Sequence, residues 1–209
     1  MTYAERPAEG TPRGALVLVH GRGADERDLV GLLDALDPDR HLHGYCPRGP
    51  LTLPPGGAHW YAVHRVGFPD AETFPGGFAA LAGFVDSLPY DRVVLGGFSQ
   101  GAVMSFAVGL GEGRPRPTAL VCFSGFIPHV DGWKLDASRP FPPIAIGHGA
   151  YDPVIPIEFA HRSLAELREA GAEVLYRESP MQHSIDPAFV GDLRSWIRDA
   201  VSAPELIAE

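Results

Sequence analysis

The stretch RVVLGGFSQGAVMSF, Arg92 to Phe106, holds Ser99 inside the pattern Gly-x-Ser-x-Gly. A serine hydroxyl becomes a useful nucleophile only when a base can take its proton and a third group orients that base. The pattern alone is weak: a shuffled chain of this composition, with its 25 Gly, shows it roughly one time in seven. Its neighbours carry the argument. HGAYDPVIP supplies Asp152 directly after the apolar run PPIAIGH, and MQHSIDP supplies His183 directly after the run EVLYRES. Nucleophile, acid and base thus appear in the order Ser99, Asp152, His183, each at the end of a strand-like run. Acyl transfer through a covalent serine intermediate is the chemistry that such a set performs.

The residues around Ser99 have physical reasons to be what they are. A serine held out on a sharp strand-to-helix turn needs small residues two positions away on each side, and Gly97 and Gly101 meet that need. The helix that starts at Gln100 turns its positive end toward the serine, and the backbone N–H of Gln100 can donate to a developing oxyanion. A second donor is expected from the loop after the first apolar strand, where HGRG offers the backbone N–H of Arg22. His20 and Gly21 read as residues that shape this turn. The Arg22 guanidinium has two uses: pairing with nearby Asp25 or Glu26, or binding an acidic group on a substrate.

Competing sites are poorer. Ser124 follows a strand but has Cys122, not a small glycine, two positions before it. Asp131 and Asp136 read as surface acids, and His148 as a supporting or packing residue. His41 and His43 share one face of a strand without a third ligand, so no metal is expected. GFSQG lacks the glycine and lysine spacings of phosphate-binding loops. No cofactor is expected.

The elements that must position these residues alternate. ALVLVH (Ala15 to His20), LHGYCP (Leu42 to Pro47), RVVLGG (Arg92 to Gly97), ALVCFSG (Ala119 to Gly125), PPIAIGH (Pro142 to His148) and EVLYRES (Glu173 to Ser179) read as strands. Most are apolar at consecutive positions, as strands buried on both faces of a parallel sheet are. Between them lie helical patterns. Leu29, Leu32, Leu33 and Leu36 follow an expected Asp25 N-cap; Phe78, Leu81, Ala82, Val85 and Leu88 repeat the spacing, as do Ala102, Val103, Phe106, Ala107 and Leu110. Ala160, Leu164 and Leu167 form a helix ending at Gly171, and a last one opens at Asp186-Pro187. Strands and helices in this alternation imply a doubly wound, mostly parallel α/β sheet. Pro47 to Pro75 is too long for an ordinary connection and reads as a substrate-side loop.

Composition narrows the partners. The chain has 209 residues and is expected to form one domain over 1–209. Its net charge is −9 and Lys134 is its one lysine, so no basic stripe exists to engage nucleic acid. Cys46 and Cys122 have no disulfide or zinc spacing and read as small buried hydrophobes. No run is long and apolar enough for membrane insertion, and MTYAERPAEGTPRG has no signal-peptide core. The expected location is the cytoplasm, and the sequence leaves a homodimer open.

VHGRGAD, the aromatic pair in HWYAV, LGGFSQGAVMSF, FSGFIP, HGAYDPVIP and MQHSIDP together resemble the phospholipase/carboxylesterase family of small α/β-hydrolases, which includes acyl-protein thioesterases and bacterial carboxylesterases. The resemblance runs over nearly the whole chain. It implies an α/β-hydrolase fold without a large lid, a triad of Ser99, Asp152 and His183, and oxyanion donors at Arg22 and Gln100. Acyl-protein thioesterases tend to carry an apolar residue in place of Arg22, and this departure favours a bacterial-type serine carboxylesterase acting on small, short- to medium-chain esters. Trp60, Phe126, Ile127, Val154 and Met181 are the candidates for the acyl pocket, with ordinary packing as the other reading of each. Alternative functions are an acyl-thioesterase or lysophospholipase on the same triad, an acyltransferase, and a ligand receptor with a slow triad.

Overall fold

The computed structural model describes residues 1–203. Its elements run β1 (Tyr3–Arg6), β2 (Ala15–Val19), α1 (Val30–Leu36), β3 (His43–Pro47), β4 (Leu51–Leu53), β5 (Gly57–His59), α2 (Phe74–Asp86), β6 (Val93–Phe98), α3 (Gln100–Leu110), β7 (Ala119–Phe123), β8 (Ile144–Gly149), α4 (Ile157–Glu169), β9 (Val174–Ser179) and α5 (Pro187–Ser202). The central sheet has seven strands in the order β1-β3-β2-β6-β7-β8-β9. All pairings are parallel except that of β1 with β3.

The continuous apolar runs are explained by helices on both faces. Leu16 and Leu18 of β2 point to one side, where they join Leu33 and Leu36 of α1 and Phe189, Leu193 and Ile197 of α5. Val17 and Val19 point to the other, toward Leu81 of α2, Val103 and Phe106 of α3 and Leu167 of α4. Every residue of α3 is buried, so this helix is enclosed by the sheet and its neighbours rather than facing water along one side.

Strand order sets the location of the site. The chain moves outward from β2 to β3 and then returns to place β6 on the other side of β2, pairing Val19 with Gly97. The loops leaving β2 and β6 therefore meet at the carboxyl edge, at the reversal point where open α/β sheets bind ligands.

Three expectations need correction. The first helix begins at Val30, not behind Asp25; the Asp25 carboxylate instead accepts from the Arg27 N–H at 2.8 Å, closing a local turn. Such side-chain-to-backbone bonds compete with helix capping because both use the same residue types. The stretch from 47 to 75 is not wholly irregular: β4 and β5 form an antiparallel hairpin within it. Residues 3–6, read as no element, form the edge strand β1, and there Arg6 is buried with its guanidinium 3.0 Å from Asp37. The expected start of the last helix matches: the Asp186 side chain accepts from the Ala188 N–H, with Pro187 in the first turn.

Candidate active site

Ser99 sits between β6 and α3 with φ 56° and ψ −121°, a backbone conformation that non-glycine residues rarely adopt. The strain is held in place by close packing. A Cβ on Gly97 would lie 2.6 Å from the Val19 carbonyl oxygen, and one on Gly101 would overlap that same carbonyl. The Ser99 N–H donates to the Phe123 carbonyl at 2.9 Å, tying the turn to the end of β7.

Asp152 and His183 are 31 residues apart in sequence yet in contact, with Asp152 Oδ2 2.6 Å from His183 Nδ1. Two backbone bonds beyond β8 and β9 draw their loops together: Ala150 N–H to Ser179 O at 2.8 Å, and Tyr151 N–H to Met181 O at 3.0 Å. Gly149 permits this approach, since a Cβ there would meet the Met181 and Gln182 carbonyls. Asp152 Oδ1 accepts the N–H groups of Val154 and Ile155 at 2.8 and 2.9 Å, so the buried carboxylate is fixed at both oxygens. With Nδ1 directed at Asp152, Nε2 is the imidazole's free acceptor. The His183 ring lies 4.7 Å from the ring of Phe98, the residue before Ser99.

The loop after β2 presses on the serine, since a Cβ on Gly21 would lie 3.3 Å from Ser99 Cβ. His20 is buried and uses both ring nitrogens. Nδ1 donates to the Gly21 carbonyl at 2.7 Å, and Nε2 accepts the Gly49 N–H at 3.0 Å. Burial lowers its pKa and keeps the ring neutral, as one donor and one acceptor require. The Gly21–Arg22 peptide is trans, so fixing the Gly21 carbonyl toward His20 turns the Arg22 N–H the opposite way. Neither that N–H nor that of Gln100 has a partner among the described residues.

The Gln100 side chain, which sequence reasoning passed over, ties the site to the long loop. Its Oε1 accepts the Trp60 N–H at 2.8 Å and its Nε2 donates to the Tyr61 carbonyl at 2.7 Å. The signal available in sequence was only a polar side chain at the start of a helix too apolar to be exposed.

The expected pocket residues divide. Trp60 has no exposed surface, and its indole N–H donates to the His20 carbonyl at 3.1 Å. It packs against the loop after β2, its ring 5.5 Å from that of His20. Phe126 and Ile127 are buried too, Phe126 against Phe159 and Ile127 through its N–H to Ser163 Oγ. Val154 is 48% exposed and Met181 partly so. Exposed apolar surface gathers on Val154 and Tyr151 beside Asp152, and on Val66 and Phe68 of the long loop.

Other expectations are corrected or placed as follows. Asp25 and Glu26 are engaged by Arg48, at 3.9 and 2.8 Å, and not by Arg22. Ser124 is buried, with φ 49°, and donates its hydroxyl to the Ser184 carbonyl at 3.3 Å. His148 is buried with Nε2 on the Ile155 carbonyl, supporting the turn that holds Asp152. His43 stacks on Tyr45 at 4.6 Å. Among the described residues no group of three or more His, Cys, Asp or Glu could hold a metal ion.

A family model described as Phospholipase/Carboxylesterase matches residues 6–201. The chain belongs to the phospholipase/carboxylesterase family. It is 27% identical to acyl-protein thioesterase 1 of Candida albicans over 93% of this chain and 96% of that one. The Bacillus cereus carboxylesterase superposes with a TM-score of 0.80 at 21% identity, covering 94% of this chain and 93% of that one. Acyl-protein thioesterase 2 of Zea mays gives a TM-score of 0.74 at 23% identity, with coverage of 95% and 98%. As in these family members, the fold is an α/β-hydrolase without a large lid. The family makes it a hydrolase of the carboxylesterase and acyl-protein thioesterase type.

Proposed function

We propose that the protein hydrolyses small, short- to medium-chain carboxylic esters through Ser99, His183 and Asp152. The observation that carries this reading is the 2.6 Å contact of Asp152 with His183, whose ring lies 4.7 Å from that of Phe98, the residue before a serine held at φ 56°. His183 Nε2 removes the Ser99 proton as Oγ attacks the ester carbonyl, and Asp152 stabilises the imidazolium that forms. The N–H groups of Arg22 and Gln100 stabilise the oxyanion, each worth about 3–4 kcal/mol in comparable sites. Collapse of the intermediate releases the alcohol, which takes its proton from His183. Water, deprotonated by the same imidazole, then frees the acid from Ser99.

The exposed surfaces of Tyr151 and Val154, which flank Asp152 in the chain, support acyl chains of modest length, because they offer apolar contact at the protein surface. A thioester reading on the same residues is favoured by the likeness to acyl-protein thioesterase 1 of Candida albicans. A panel of matched esters and thioesters, run on the wild type and on Ser99→Ala, tests both. Ester turnover that vanishes in Ser99→Ala is expected. A marked wild-type preference for thioesters would move the assignment to the second reading, and turnover surviving in Ser99→Ala would remove the triad.

A further inference from the structure

Arg22 is exposed and enters no ion pair or side-chain hydrogen bond among the described residues, although its loop contains acids. Asp25 and Glu26 are both occupied by Arg48, which is also anchored on the Gly56 carbonyl at 3.0 Å. The position of Arg22 is fixed by its backbone. Gly21 lies against Ser99 Cβ, and the loop is clamped to β5 by Gly23 N–H to Ala58 O at 2.8 Å and Ala58 N–H to Ala24 O at 2.7 Å. The guanidinium therefore leaves a clamped loop one residue after Gly21, which lies against Ser99 Cβ.

Its surroundings do not neutralise it. His59, next along from Ala58, is no anion, and its pKa is lowered by burial and further by the Arg22 charge. The chain as a whole carries −9, and a cation without an ion pair on such a surface attracts an incoming anion. A planar, permanently charged fork matches a carboxylate in particular.

We propose that the Arg22 side chain binds a carboxylate on the substrate, so that half-esters of dicarboxylic acids are preferred over neutral esters of the same length. This rests on the reading of Ser99 as nucleophile. The Arg22 backbone amide acts on the oxyanion whatever the side chain, so the two contributions of the residue separate in a ratio of substrates.

The test compares kcat/KM for monoethyl glutarate and ethyl pentanoate, which share an acyl length and differ in the terminal carboxylate. In Arg22→Gln the acidic-to-neutral ratio should fall about tenfold or more, chiefly through KM, while Arg22→Lys should retain part of it. Raising salt from about 0.05 to about 0.5 M should lower the wild-type ratio but not that of Arg22→Gln. A ratio unchanged within about twofold in Arg22→Gln, including equal losses on both esters, would overturn the proposal. Failure of the underlying reading shows separately, as hydrolysis of both esters by Ser99→Ala.

Discussion

The side-chain amide of Gln100 holds the backbone of Trp60 through its oxygen, 2.8 Å from the Trp60 N–H, while its nitrogen holds the adjoining Tyr61 carbonyl. The indole of Trp60 in turn reaches the His20 carbonyl. One buried chain of hydrogen bonds thus links the residue after the proposed nucleophile, the long loop and the loop that carries Arg22. Replacing Gln100 by Leu keeps the volume but strands a backbone N–H and a carbonyl, at about 1–3 kcal/mol each. Gln100→Leu should lower Tm by roughly 5–15 °C. A Tm within about 2 °C of wild type would show that the two groups find other partners.

Trp60→Phe tests the same chain from its other end. An aromatic ring stays, while the bond to His20 and part of the buried ring volume are lost away from solvent, so turnover should fall by a similar factor for acetate, butyrate and hexanoate esters. Val154→Ala should behave differently, weakening the longer esters more, by up to about 0.8 kcal/mol per methylene that loses contact. A chain-length-dependent loss in Trp60→Phe, with none in Val154→Ala, would exchange their roles.

Stability should fall as pH drops from about 6.5 toward 5. His20, His59 and His148 all have pKa values lowered mainly by burial. The folded state binds fewer protons than the unfolded chain in this window. The contribution is present in full above the unfolded histidine value near 6.5 and is lost progressively below it, at up to about 1.4 kcal/mol per pH unit for each ring. The carboxylates with lowered values, among them Glu26, Asp186 and Asp136, held by Arg48, Ser179 and Ser138 respectively, add their losses only in more acid solution. Urea midpoints between pH 5 and 8 measure this slope, which His148→Gln should reduce. A flat profile down to pH 5 would mean that these rings charge freely in the folded state.

How far the sequence revealed this architecture depended on how local each interaction is. The strands β2, β3, β6, β7 and β8 were legible because burial leaves continuous apolar runs, and the order of Ser99, Asp152 and His183 followed from the strand ends they occupy. β1 was not, because a four-residue edge strand is half exposed and its buried contact is made by Arg6, a residue type that usually marks surface. The direction of Trp60 was hidden for a similar reason. A large aromatic in a long loop can face the core or the solvent, and Gln100, which decides it, lies 40 residues away. Arg22 is nearer to Asp25 and Glu26 in sequence, but Arg48 is brought to them by the end of β3.

Ser99 is the proposed nucleophile, and active-site labelling with a fluorophosphonate, followed by peptide mapping by mass spectrometry, reads out which serine reacts. The expected result is a single adduct on the peptide containing Ser99, absent in Ser99→Ala and in heat-denatured protein, with turnover in Ser99→Ala reduced at least about a thousandfold. An adduct on Ser124, or labelling that persists in a folded Ser99→Ala, would contradict it.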